Sequence, residues 1–591
     1  MADGTVSWGS GSNRWLGGNG NNRLYAFSLD GKYKQRSAAL GLQRRRDHMF
    51  RRALRQKVAW RRWLLHRLAL ASLAALAVAS GALAGDGPAH PHAWVTIGRV
   101  PSNTRDQPFE HRINPDNVSR LAPKWVAPTT GDVSGTPAVA DGAVYFGDFG
   151  GTLWKLDAET GALIWKHAVP DDTGIAGDYA RTSPSLAGNT LVVGVIRGPN
   201  PGGLNGPNML GIDAATGALR WQTQIHPDRR AAMTGSPVLV GDTVFTGVSA
   251  TNAGGPNATF RGAIVALDAQ TGQILWQTYA LPDNGGVPGG YAGATMFSPP
   301  AVDVKNGLVY GTFGQLYTQP ASVAACHAAH GGFSESCEQP GAFFHSIVAF
   351  DMQTGEPRWS YRVFGDAPWQ RACGNQPASV TWCAANLDDV LWDFGGAGPN
   401  VFQVRIDKKK RDVVGVGEKS GVYVVLDAKT GEFVWNTLVG PGGDQGGIQW
   451  GTAYDGDRLY AAITNQHNSP YPLTQNGVTS GPFVTGGSWA ALDPDTGQIL
   501  WQTGDPAGAY DLAPLTTANG VVYASSMAST GHQLYALDAA TGAILWQFAV
   551  GSSVNSGPSV VDGTLYWGTG YARGLGGTSN NKLYAFSLDG K

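Results

Sequence analysis

The sequence predicts an all-β protein, an eight-bladed β-propeller, on three observations. First, a short pattern recurs seven times: a hydrophobe, Asp, two variable residues, Thr-Gly, three residues and Trp. It runs at Asp157…Trp165, Asp213…Trp221, Asp268…Trp276, Asp351…Trp359, Asp427…Trp435, Asp493…Trp501 and Asp538…Trp546. Second, the copies lie about 45 to 83 residues apart, which suits units of four short strands with loops of unequal length. Third, apolar runs between copies alternate with Asp-Gly or Thr-Gly turns, as in an antiparallel meander.

Each part of the pattern has a physical reason. The Asp carboxylate accepts backbone N–H bonds inside the turn. The Gly takes a positive φ after it. The Trp supplies a large apolar plate for docking on the next unit. In the first copy, residues 137–140, 143–146, 151–156 and 162–165 read as the four strands of one blade. Residues 563–586 read as an eighth blade with a degenerate motif. A linear solenoid is the structural rival. Closure is favoured because there are several long insertions and no capping repeats.

The repeats run from about residue 130 to residue 591, so this span reads as one large propeller, with residues 85–129 as lead-in and closing strand. The 83 glycines and 15% charged residues suit many tight turns. A net charge of -1 argues against a nucleic-acid partner.

Positive charge is concentrated early, from Arg44 to Arg67. A short apolar stretch follows, from Leu68 to Ala79, and then Ala82-Leu83-Ala84 before Gly85. Basic flank, apolar stretch and A-x-A end describe a secretory signal over residues 49–84, hence a periplasmic or secreted protein. The stretch is short for a membrane span, and an uncleaved anchor is the rival. The segment from Asp3 to Lys32 repeats Asp562 to Lys591 at constant offset, so the signal lies behind a copy of the chain's own tail. Residues 1–48 therefore read as a non-native extension from a duplicated neighbouring gene, with translation starting at Met49. A functional spare strand is the alternative.

Four cysteines fall in two local pairs, Cys326 with Cys337 and Cys373 with Cys383. In an exported protein both pairs read as structural bridges. There is no C-x-x-C-H for a c-type haem and no G-x-S-x-G nucleophile elbow. Histidines form no convincing metal cluster. The run Gly415…Gly417-Glu418-Lys419-Ser420 suggests a phosphate loop only superficially, lacking Gly before Lys.

The repeat and several runs resemble the pyrroloquinoline-quinone (PQQ) dehydrogenases, eight-bladed propellers with PQQ-type Trp-docking repeats. The polyvinyl alcohol dehydrogenase branch is the nearest in pattern. The runs are Gly135-Thr136-Pro137-Ala138-Val139, Trp392-Asp393-Phe394-Gly395, Glu418-Lys419-Ser420-Gly421 and the glycine-rich stretch 439–451 ending Gln449-Trp450-Gly451. The resemblance implies a quinone held in the central funnel, an alcohol substrate with secondary or polymeric hydroxyls, and electrons passed to an external c-type cytochrome. It implies Asp393 as catalytic base. It places Arg181, Thr234, Lys419, Gln449 and Trp450 against the cofactor, Arg181 as a guanidinium fork for carboxylates. Each has a plainer reading: a turn Asp, a blade-edge ion pair, a strand Thr, a solvated hairpin Lys and a buried blade Trp.

The departures concern the metal. The resemblance implies calcium as Lewis acid. Calcium takes several oxygen ligands with carboxylates for charge. The run Val248-Ser249-Ala250-Thr251-Asn252-Ala253 has no carboxylate where relatives carry Glu, and Gln315 stands where they have Asn. No two cysteines are adjacent, although the family often has such a pair against the quinone. The stacking Trp is replaced by Met296, with Phe297 beside it. The calcium site therefore reads as degenerate and its ligands as unknown. Two functions compete: PQQ-dependent alcohol oxidation, and a non-catalytic exported propeller that binds a ligand or partner.

Overall fold

The computed structural model describes residues 5–10, 23–28, 91–196, 208–228, 230–250, 254–363, 394, 396–443 and 445–591. The chain divides into two compact units, Met1–Ala82 and Leu83–Lys591. In the first, Thr5–Ser10 pairs antiparallel with Arg23–Ser28, Thr5 opposite Ser28. The original of this copy has the same register, Thr564 opposite Ser587. The rest of the leader, residues 29–84, lies outside the described residues.

The second unit is a closed ring of eight antiparallel sheets, counted among the described residues, each with four strands at its centre. Blades 1 to 8 span residues 138–168, 185–223, 238–279, 301–362, 400–438, 453–504, 516–548 and 559–588. Blade 8 takes its fourth strand from the other end of the repeats. Leu121–Pro128 pairs with Lys582–Leu588, Leu121 opposite Leu588. This seam closes the ring, so the solenoid alternative is excluded.

The repeated turn works as its composition demands. In all seven copies one Asp oxygen accepts the Thr backbone N–H at 2.8–3.0 Å and also the Thr hydroxyl. Each motif Trp donates its indole N–H to a carbonyl of the next blade at 2.8–3.2 Å. The motif Gly of each blade lies flat against the Trp of the preceding one. At Gly431, with φ +71, a Cβ would stand 2.6 Å from the Trp359 ring. The glycine is thus required twice, by its backbone and by its neighbour.

The eighth motif is split rather than worn. Trp125, on the closing strand, docks on blade 1 through an indole bond to Ala158 O at 3.1 Å, and its ring covers Gly161. Asp589, at the chain's other end, ion-pairs with Arg120. Trp546 of blade 7 completes the circle by donating to Leu121 O at 2.9 Å. Eight Trp links therefore join eight blades. The core follows them as apolar clusters lying between neighbouring sheets, such as Tyr460, Trp489, Trp501, Val522 and Leu537 between blades 6 and 7.

One feature of the lead-in was not legible as a strand pattern. Residues 94–107 run through the central channel. Inner-strand amides of Val139, Leu186, Val302, Val401, Tyr454 and Thr517 donate to Trp94, Val95, Pro101, Ser102, Thr104 and Arg105 carbonyls at 2.7–2.9 Å. Thr96 Oγ1 reaches Pro237 O in blade 3, and Gln107 Nε2 reaches Val560 O in blade 8. The segment touches the inner strand of every blade and so stoppers the axis. It satisfies edge strands that would otherwise present bare N–H and C=O groups.

Blade 4 carries an insertion with a helix, Ala321–Ala329, tied by the Cys326–Cys337 disulfide. His327 Nε2 bonds Glu338 at 2.8 Å, and Glu338 accepts the Tyr291 hydroxyl at 2.6 Å. The other expected pair, Cys373 and Cys383, lies outside the described residues. Among the described residues no helix is long and apolar enough to cross a membrane.

Candidate functional site

The stopper supplies a common ruler for the blades. Counting five residues back from the inner-strand amide bonded to it, or in blades 3 and 8 from the matching inner-strand residues Leu239 and Val560, gives one position per blade. In blades 1 to 4 these are Ser134, Arg181, Thr234 and Phe297. In blades 5 to 8 they are Gly396, Gln449, Leu512 and Asn555. Six of them line one central pocket: Ser134, Arg181, Thr234, Phe297, Gly396 and Asn555. Blades 6 and 7 contribute Trp450 and Pro514, and Ile97 of the stopper faces the same space. The pocket therefore sits on the axis, above the stopper.

Arg181 and Trp450 come from opposite blades, 2 and 6, yet the guanidinium lies 4.8 Å from the Trp450 ring centroid. The two side chains together therefore span the funnel. Gly396 makes room for the indole: a Cβ there would stand 2.3 Å from the Trp450 ring. Arg181 is flanked by Phe149 and Tyr571 at 5.6 and 6.0 Å and makes no ion pair with a described residue. Thr234 Oγ1 bonds Ser249 Oγ at 2.5 Å. Gln449 is buried, and its Oε1 has no partner among the described residues.

Lys419 is not the solvated hairpin Lys of the plainer reading. It is 8% exposed, with Nζ 6.0 Å from the Phe297 ring centroid. The glycine-rich run explains its place. Gly443 N donates to Lys419 O at 3.0 Å and Ile448 N to Glu418 O at 2.9 Å. A Cβ at Gly442 would meet Lys419 O at 2.7 Å. The run wraps the 418–421 turn and thereby brings Gln449-Trp450 next to it. Asp393 lies outside the described residues, as do Thr251, Asn252 and Ala253. The next described residue after Asp393, Phe394, is buried in the blade 5 core.

Met296 does not replace the stacking ring. It is fully buried, and a Cβ on Gly247 would lie 2.3 Å from its side chain. Successive side chains of an extended segment point to opposite sides. Phe297 therefore faces the pocket while Met296 packs between blades 3 and 4.

The pocket's donor set is distinctive. Ser134 Oγ, Thr136 Oγ1, Trp450 Nε1 and both polar atoms of Asn555 are buried without hydrogen-bond partners among the described residues. Buried polar groups are ordinarily paired, so such a concentration marks a place for a polar ligand. Aromatic walls, one cation and unsatisfied donors fit a planar, carboxylate-bearing ring. They do not fit a resident calcium ion: no described pocket-lining residue is a carboxylate. Ser134 and Asn555 were missed in the sequence, although the signal was present. They stand at the fixed offset that Arg181, Thr234 and Gln449 share.

Fold and pocket define the class: an eight-bladed, Trp-docked propeller with an axial pocket walled by aromatic rings and one guanidinium. The chain belongs to the PQQ-repeat family. The family model, described as outer membrane protein assembly factor BamB, matches residues 116–332 and 485–591, more than half of the chain. Polyvinylalcohol dehydrogenase of Pseudomonas sp is 27% identical over 550 residues, 85% of this chain and 78% of that protein. The protein of the same name from Sphingopyxis sp. (strain 113P3) is 28% identical over 518 residues, 80% and 73%. The crystal structure of quinohemoprotein alcohol dehydrogenase from Comamonas testosteroni shares the fold. Its TM-score is 0.62 at 21% identity, over 85% of this chain and 81% of that one.

Proposed function

We propose that this chain is a quinoprotein oxidoreductase that oxidises alcohols with PQQ held in the axial pocket. The observation that carries the reading is the convergence of Arg181, Thr234, Phe297 and Trp450 on one pocket in which Ser134 Oγ, Thr136 Oγ1, Trp450 Nε1 and the Asn555 amide lack partners among the described residues. The relatives named polyvinylalcohol dehydrogenase support it independently.

When bound, PQQ supplies an electrophilic carbonyl that accepts hydride from a carbinol carbon. The chain's residues do the rest. Arg181 attracts a carboxylate, and stacking on Trp450 holds its guanidinium at the axis. Phe297 and Trp450 would give a bound ring apolar walls that exclude water. Lys419, buried behind Phe297, places a positive charge beside that wall. Asp393 is assigned as the base that takes the hydroxyl proton. Secondary or polymeric hydroxyls are the substrates, an external c-type cytochrome takes the electrons, and the protein works in the periplasm or outside the cell.

The test is reconstitution. Purified protein with PQQ, with and without calcium, should acquire a quinone absorbance and reduce an artificial dye when given 2-propanol or polyvinyl alcohol. Asp393→Asn should keep the absorbance and lose at least about 100-fold in turnover. The second reading, a non-catalytic scaffold, is favoured by the carboxylate-free lining of the described pocket. It predicts bound quinone with no alcohol-dependent dye reduction, or no quinone at all.

A further inference from the structure

Asn555 holds in blade 8 the position that Arg181 holds in blade 2 and Thr234 in blade 3. It is 3% exposed, lines the pocket, and neither Oδ1 nor Nδ2 has a partner among the described residues. A buried amide with four unused hydrogen-bonding sites costs stability. The equivalent position in blade 7 is Leu512, a side chain that branches at the same carbon. An apolar residue is thus compatible with this register, and the amide in blade 8 is not demanded by packing.

An amide presents a donor and an acceptor side by side in one plane. The edge it recognises carries the complementary pair, as when Asn reads the edge of adenine. PQQ has one such edge, where the pyrrole N–H adjoins a carboxylate oxygen. Arg181 alone does not select it, because PQQ carries several carboxylates and a guanidinium attracts each of them. In a ring of eight like positions, a flat anion drawn only by charge can settle in more than one rotation about the axis. Only some rotations bring the quinone carbonyls toward blade 5, the blade of Lys419.

We propose that Asn555 is a specificity-determining residue that pairs through both amide atoms with the pyrrole N–H and the neighbouring carboxylate of PQQ, and so fixes the cofactor's rotation about the propeller axis. This rests on the quinone reading above.

The experiment compares wild-type protein and Asn555→Leu, each titrated with PQQ and with 1-N-methyl-PQQ and followed by quenching of tryptophan fluorescence. Loss of a bidentate pair predicts a roughly 10- to 100-fold weaker affinity of Asn555→Leu for PQQ. The methylated analogue should bind wild type weakly and should not distinguish the two proteins. Equal PQQ affinity of the two proteins overturns the proposal. So does an equal loss on methylation in both. Wild-type protein that binds no PQQ overturns the quinone reading and this one with it, and that result appears before any substitution is compared.

Discussion

The two ends of a blade obey opposite rules. At the outer turn, seven copies keep the same Asp, Thr, Gly and Trp, and each side chain makes the same bond in every copy. At the inner end, the eight equivalent positions hold Ser, Arg, Thr, Phe, Gly, Gln, Leu and Asn, no two alike. The outer turn meets the same neighbour each time, a Trp plate one blade back, so one solution serves throughout. The inner position meets the axis, where six of the eight side chains share one pocket and each faces it from a different direction. Repetition therefore builds the ring, and loss of repetition builds the site.

If that division holds, damage at the outer end should cost stability and damage at the inner end should cost binding. Trp546→Ala is expected to have the largest effect. Trp546 is 7% exposed, packs on Phe586 and donates to Leu121 O across the seam. Truncating a buried Trp costs about 3–5 kcal/mol, to be read from urea unfolding. The folded fraction should bind PQQ with unchanged affinity. Weaker binding by that fraction would show that the ring and the site are not separable.

Arg181→Leu is the mirror experiment. Its stacking on three aromatic rings is worth roughly 0.5–2 kcal/mol, so unfolding should shift little. A charge-assisted contact to a carboxylate is worth about 1.5–3 kcal/mol, or some 10- to 150-fold in PQQ affinity. Arg181→Lys should recover only part of it, because an ammonium cannot form the planar fork. A large loss of stability with unchanged affinity would reverse the assignment.

The same contrast explains what the sequence could show. The outer turn repeats, so periodicity reveals the ring, and even the eighth blade was visible from residues 563–586. Its motif looked degenerate because Asp589 and Trp125 lie at opposite ends of the repeats, and only the pairing of Leu121–Pro128 with Lys582–Leu588 reunites them. The inner residues do not repeat, so they had to be found by resemblance one at a time. Arg181, Thr234 and Trp450 were found that way and meet at the pocket. Ser134 and Asn555 were not, because their identity says nothing until the offset from the inner strand is known. Met296 was taken for its neighbour Phe297, since a run of apolar residues does not reveal which side faces the axis. The stopper left no periodic signature, because residues 94–107 bond through their backbone to strands far away in sequence.

The stopper yields the smallest and most specific prediction. Asp106 lies on it, half-buried, with its carboxylate accepting the Thr517 hydroxyl at 2.9 Å. Burial pushes its pKa up to about 7, the Thr517 bond opposes this, and the Asp455 carboxylate adds to the rise. An unfolded Asp titrates near 3.9. Between about pH 4 and 7 the folded protein therefore holds a proton that the unfolded chain has released. The unfolded state binds fewer protons, so stability falls as pH rises through this window and levels off above it. Asp106→Asn removes the titration while keeping the shape. Its unfolding free energy minus that of wild type should rise with pH from about 4 to 7 and then stay flat. A difference that is constant across this range would mean that the Asp106 carboxylate stays ionised inside the stopper. PQQ affinity at pH 8 should be the same in both proteins, because Asp106 lies outside the set of residues that line the pocket.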